Sequence, residues 1–140
     1  MIMEDMKDRL TRQLIKHEDI RKKPYTCTAG KLTIGIGRNL TDRGLTTEEC
    51  MYLFENDLKI ATRDLVSVFG NIGYFSTMRQ VALIDMMFNL GKPRFLGFKK
   101  MIAAIKEADW KEAANQAKDS RWYSQVGERG ERLVGQIRRG

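Results

Sequence analysis

Apolar residues recur every three or four positions at the start of the chain. Met6, Leu10 and Leu14, with Ile15 beside them, share one face of a helix predicted over residues 4–17. Pro24 cannot lie inside a continuing helix, so this one is expected to stop before Lys23, leaving Glu18 near its C-terminal end. The period then drops to two. Leu32, Ile34 and Ile36 alternate with Thr33, Gly35 and Gly37, which reads as a hairpin over YTCTAGKLTIGIG with Ala29 and Gly30 in its turn. Glycines on alternate strand positions mark a close backbone approach or a bend.

Helical spacing returns after residue 46. Thr46 followed by Glu49 is a capping box, and Phe54, Leu58, Ala61, Leu65 and Val68 then predict a long helix over about 47–69. Ser76 is a second N-cap. The segment TMRQVALIDMMFNL behind it is apolar on nearly all sides, as a buried central helix would be, and Gly91 and Pro93 end it. Shorter helices follow over Phe98–Lys106, after Asp109, after Ser120 and through ERGERLVGQIRR, while RNLTDRG after the hairpin reads as a short loop. The architecture expected is α+β and mainly helical. A small lobe of about 12–58 carries the hairpin, a helical lobe comprises about 1–11 and 59–140, and a cleft separates them.

Composition narrows the classes. With 140 residues, 42% of them hydrophobic, the chain reads as one domain with a real core. No apolar run of membrane-spanning length occurs, so no stable membrane insertion is expected, and MIMEDMKDRL has no apolar segment of a secretory signal. A net charge of +7 implies an anionic partner or surface. The basic residues are spread along the chain without a nucleic-acid-binding signature, so no nucleic acid is expected. Cys27 and Cys50 are spaced wrongly for a zinc knuckle, and with one histidine in the chain neither a metal nor another cofactor is expected. A disulfide between them is disfavoured without an export signal. The GIG of residues 35–37 lacks the third glycine and the helix of a dinucleotide loop.

The candidate chemistry lies between residues 18 and 33. Eight residues separate Glu18 from Cys27 and five separate Cys27 from Thr33, so a helix end followed by a hairpin can gather all three side chains. An acid, a second reactive group and a hydroxyl that orients water form a layout for bond cleavage. A helix C-terminus carries partial negative charge, a setting in which a carboxyl can keep the proton that a general acid donates. Each residue also has a plain reading. Glu18 can be a solvated helix-end carboxylate, Cys27 a small apolar filler, Thr33 an ordinary strand threonine and Arg129 one more surface cation. Cys50 is expected in the core, His17 on the surface, and Trp110, Trp122 and Tyr123 in the helical core rather than as sugar platforms. An Arg38–Asp57 ion pair would tie the hairpin to the long helix.

Glu18, Cys27 and Thr33 at this spacing, followed by TIGIG, resemble the catalytic region of the bacteriophage-type lysozymes, the endolysins. LTTEECMYLFENDL, ALIDMMFNLG and ADWKEAANQAKDSRWYSQVGERGERL extend the resemblance over roughly residues 12 to 138. It implies a lysozyme-like fold and a muramidase acting on the β-1,4 bond between N-acetylmuramic acid and N-acetylglucosamine in peptidoglycan. By position, Glu18 would be the general acid and Thr33 would help hold the attacking water. Arg129 matches an arginine that pairs with the catalytic glutamate, with Asp85 near the same network. Phe88 matches a cleft-lining aromatic, and Gln116 an amide that contacts sugar, where the family has asparagine. Cys27 departs from the aspartate of better-known members. Two carboxylates are the usual glycosidase pair. A free thiol has a pKa of about 8.5 and would have to be lowered, for which Arg21, Lys22, Lys23 and Lys31 are the nearby cations.

The resemblance further implies a monomer that accumulates in the host cytoplasm and reaches the cell wall or periplasm after a separate membrane-permeabilising protein acts. A lytic transglycosylase on the same bond, or an inactive basic wall-binding protein, are the alternatives.

Overall fold

A computed structural model describes residues 3–140. Its first helix, α1 (Glu4–Glu18), has Glu4 and Asp5 in its first turn and Lys16 and His17 in its last, each sign opposing the helix dipole. The apolar stripe is present, but Met6, Leu10 and Leu14 are exposed. α1 ends at Asp19, whose φ of 65° and ψ of 170° lie where non-glycine residues are strained. That sharp turn sends the chain directly into a strand.

Three antiparallel strands follow in the order β1 (Arg21–Thr26), β2 (Leu32–Gly35) and β3 (Arg38–Asn39). The hairpin starts earlier than its alternating pattern, because β1 already contains Lys22, Lys23 and Pro24. Pro24 has no N–H to give the ladder, and the register is irregular between Arg21 and Tyr25. The segment expected as a loop is instead β3 and one turn of helix, α2 (Leu40–Arg43), capped by the Asn39 side chain.

The long helix α3 (Thr47–Phe69) opens with the predicted capping box: Glu49 N–H donates to Thr46 Oγ1, and Thr46 N–H to Glu49 Oε1. Arg38 does tie the hairpin to this helix, but through Glu49 at 2.7 Å rather than through Asp57. Glu49 is already fixed by the capping box, so its carboxylate is held ready for the guanidinium. Cys50 is exposed instead of core, and both cysteines are free thiols.

The chain divides into one unit ending at Met51 and a second, Tyr52–Gly140. All the buried apolar side chains belong to the second unit, among the described residues. Here α4 (Thr77–Leu90), capped by Ser76, buries Ala82, Leu83, Met86, Met87 and Leu90. Around it come α5 (Lys92–Phe95), α6 (Lys99–Lys106), α7 (Trp110–Lys118), α8 (Arg121–Val126) and α9 (Glu128–Arg139). Asp109 and Ser120 cap α7 and α8 as predicted. Trp122 is buried with its indole N–H on Asn89 Oδ1 at 2.9 Å, and Trp110 packs against the core, as expected of core aromatics. Arg79 donates to the carbonyls of Ile137 and Arg138 and lies over the Trp110 ring, joining α4, α7 and the end of α9. No helix among the described residues is long and apolar enough to cross a membrane. The fold is mainly helical α+β, lysozyme-like, with its small sheet confined to the first unit.

The Arg38–Glu49 pair supplies a pH test. Hydrogen bonding to Arg38, and then to the Thr46 N–H, draws the Glu49 carboxylate down to about 2. A depressed folded value stabilises the fold above the ordinary carboxylate range, and that contribution is lost as pH falls toward 2. Thermal midpoints of native protein and Glu49→Gln should therefore differ at neutral pH and converge as acid is added. A gap that persists at pH 2 would show that the charge is not its source.

Candidate active site

Glu18 is the last residue of α1, and the turn at Asp19 places its carboxylate against the backbone at the β2–β3 turn. Gly37 sits there with φ of 68°. A Cβ built on Gly37 would lie 2.8 Å from Glu18 Oε2 and 3.0 Å from Cδ. The glycine thus forms the surface on which the acid rests. The alternating pattern signalled a close approach, but not which side chain approaches.

Cys27 and Thr33 meet across the hairpin. Tyr25 is paired with Thr33, and Cys27 lies two residues beyond Tyr25, so strand alternation puts all three on one face. Thr33 is the only buried polar residue among those described, and its hydroxyl donates to the Lys31 carbonyl at 2.9 Å. Cys27 is partly exposed. Its thiol is held below the usual range, first by the backbone N–H of Lys31, next by that of Ala29, and to a smaller extent by the Thr33 hydroxyl; desolvation opposes them. The lowering expected of this thiol is therefore present, but the turn backbone causes it rather than the cations around it. Lys31 Nζ is engaged elsewhere, 3.2 Å from Asp42. The Thr33 hydroxyl has one proton to give, so its bond to Lys31 and its support of a thiolate are alternatives exchanged by rotating Oγ1–H.

The lowered thiol is directly measurable. The rate of alkylation by iodoacetamide, followed against pH, should rise with a midpoint below that of free cysteine. Thr33→Val should move that midpoint upward only modestly, because the backbone donors remain. A midpoint at or above the free-cysteine value would overturn this account.

In the second unit, one face of α4 carries Val81, Ile84, Asp85 and Phe88 at helical spacing. With Phe54, Leu58 and Arg129 they line an open pocket of about 380 Å³. Arg129 donates from Nε to Asp85 Oδ1 at 2.8 Å, with Nη2 2.6 Å from the same oxygen. The ring of Phe88 lies 5.8 Å from that of Phe54. Asp85, Phe88 and Arg129 are thus brought together, whereas Gln116 lines a different pocket with Arg94, Lys99 and Lys100. His17 is exposed, as expected. No cluster of three metal-binding side chains occurs among the described residues.

A carboxylic acid resting on a glycine, beside a hairpin that holds a lowered thiol and a buried hydroxyl, is equipped for acid-assisted bond cleavage. Residues 15–140 match the family model described as phage lysozyme, and the chain belongs to that family. The class of protein, a glycoside hydrolase, follows from the family.

Relatives agree with this. The chain is 28% identical over 162 residues to "Probable T4-type lysozyme 1" of Dictyostelium discoideum, covering 92% of this chain and 94% of that protein. "Probable T4-type lysozyme 2" of the same organism is 26% identical, over 88% of this chain and 90% of its own length. A 30% identity to the "Pre-baseplate central spike protein Gp5" of Enterobacteria phage T4 spans 89% of this chain but 27% of that larger protein. The protein is a lysozyme, and its substrate is peptidoglycan.

Proposed function

We propose that this lysozyme is an endolysin that hydrolyses the β-1,4 bond between N-acetylmuramic acid and N-acetylglucosamine. The observation that carries the chemistry is the seating of Glu18 on Gly37, in one unit with the Cys27–Thr33 hairpin. In this reading, Glu18 gives its proton to the leaving glycosidic oxygen. A water held at the Thr33 hydroxyl adds to the anomeric carbon and passes its proton to the Cys27 thiolate. Exchange with solvent returns the proton to Glu18, and the product is a new reducing end. Phe88 would line the cleft, Gln116 would contact sugar, and Arg129 with Asp85 would support the acid.

Relatives matched over nearly their whole length under a lysozyme name, together with the charge of +7, support an enzyme made for the wall as a whole. The protein would act as a monomer, waiting in the host cytoplasm until a separate permeabilising protein admits it to the wall. Similarity to a spike protein favours a second reading, a lysozyme module that opens the wall locally from a virion. Purified sacculi and mass spectrometry of the products test the chemistry. Reducing-end muropeptides are expected, and a 1,6-anhydro product would make the enzyme a transglycosylase instead. Finding the chain in purified virions rather than free in lysing cells would favour the second reading.

A further inference from the structure

Tyr25 stands beside the two hairpin groups of the site, Thr33 and Cys27. It pairs directly with Thr33 across β1 and β2. Opposite residues of an antiparallel pair share a face, with Cβ atoms about 5 Å apart, so the ring starts next to the Thr33 side chain. Thr33 is only 3% exposed, although no apolar side chain of the three strands is buried among the described residues.

A short chain of contacts holds the ring. Between Arg21 and Tyr25 the register slips, and four steps along β1 match two along β2, from Gly35 to Thr33. Such a bulge bends its strand and re-aims side chains. Arg21 stands opposite Gly35, which offers it no side chain to pack against. Its guanidinium lies instead over the Tyr25 ring, 4.6 Å from the centroid. Asp19 Oδ2 is 3.9 Å from Nε of that guanidinium, an exposed contact of little weight. A cation thus occupies the face of the ring that a sugar would stack on, and the ring serves the sheet.

The Thr33 hydroxyl has one proton and two protein acceptors for it, the Lys31 carbonyl and Cys27. Bulk water around it would accept that proton in many directions. A covered hydroxyl keeps those two choices and one place for the attacking water. Resting on the muramidase reading, we propose that Tyr25, clamped by Arg21, is a positioning residue that covers Thr33 and fixes where its hydroxyl holds water.

Kinetics on sacculi compare Tyr25→Phe, Tyr25→Leu and Arg21→Gln with native protein. Tyr25→Leu should lower kcat about tenfold and leave KM within about twofold, as misplacement of one reacting group does. Tyr25→Phe keeps the ring and should recover most of that loss. Arg21 is exposed, so its replacement should leave the fold intact. Arg21→Gln should cost about threefold, the worth of one exposed cation–π contact, and nothing further in the Tyr25→Leu background. Lys22→Gln makes the same charge change one residue along β1 and should match native. Tyr25→Leu/Thr33→Val should be no slower than Thr33→Val alone. Additive losses would overturn the proposal, because Tyr25 would then act apart from Thr33, and so would full activity in Tyr25→Leu. The cover is also read without activity, from relaxation of the isotope-labelled Thr33 methyl by a soluble gadolinium chelate. Relaxation should be weak in native protein and Tyr25→Phe and strong in Tyr25→Leu. Equal relaxation in all three would overturn the proposal. Native protein that releases no reducing ends would sink the muramidase reading instead, with the cover judged by relaxation alone.

Discussion

Glu18→Gln should lower reducing-end release from sacculi by about a thousandfold, within the range that loss of a positioned general acid produces. Glutamine keeps the shape of the side chain and its rest on Gly37, so the thermal midpoint should stay close to native and the defect should lie in kcat rather than KM. Cys27→Ser and Cys27→Ala, run under reducing conditions, divide the remaining chemistry. If Cys27 takes the proton from water, alanine should be nearly inactive and serine strongly impaired. Full activity in both would leave Glu18 as the acid and remove the thiol from the reaction. Native activity should also fall as pH drops below the midpoint at which the thiol ionises, because only the thiolate can accept a proton.

Gly37→Ala should separate the placement of the acid from its chemistry. An L-residue at φ of 68° costs about 1 kcal/mol, and the new Cβ would overlap Glu18 Oε2 at 2.8 Å. The carboxylate is the free end of a flexible side chain, so it yields while the backbone stays, and the acid moves off its seat. A displacement of this size should reduce kcat by about a hundredfold. Gly70 has φ of 77° with nothing within 4 Å of its Cβ position, so Gly70→Ala carries the strain of a positive φ without the collision. Similar losses of stability in the two variants, with activity lost in Gly37→Ala alone, are the expected pattern. Equal activity in both would mean that Gly37 is needed only for the turn.

Much of the helical organisation was legible because its signals are local. Thr46 with Glu49, Ser76, Asp109 and Ser120 each cap a helix through bonds spanning three residues. A turn of chain is enough to form them, and no distant partner is needed. The central helix was also legible, since its apolar residues exceed one face. Its outer stripe was not, because Val81, Ile84 and Phe88 look like core until Asp85 and Arg129 mark that side as a pocket. The first unit resisted for a related reason. α1 has a regular apolar stripe whose members are exposed, and Cys50 follows helical spacing into solvent. Periodicity names the side of a helix and is silent about what covers it.

The sequence by itself determined the longer helices and the hairpin, the caps at Thr46, Ser76, Asp109 and Ser120, the family, and the presence of an acid, a thiol and a hydroxyl within sixteen residues. These follow from backbone preferences and side-chain chemistry that act over a few residues. Tertiary structure decided which groups meet. It set Glu18 on Gly37, gave Arg38 to Glu49 and gave Arg129 to Asp85 across 44 positions. It also assigned the lowering of Cys27 to backbone N–H groups of its own turn rather than to the cations near it in sequence. Hydrogen bonds and ion pairs act over about 3 Å, and only the path of the folded chain determines which groups come that close.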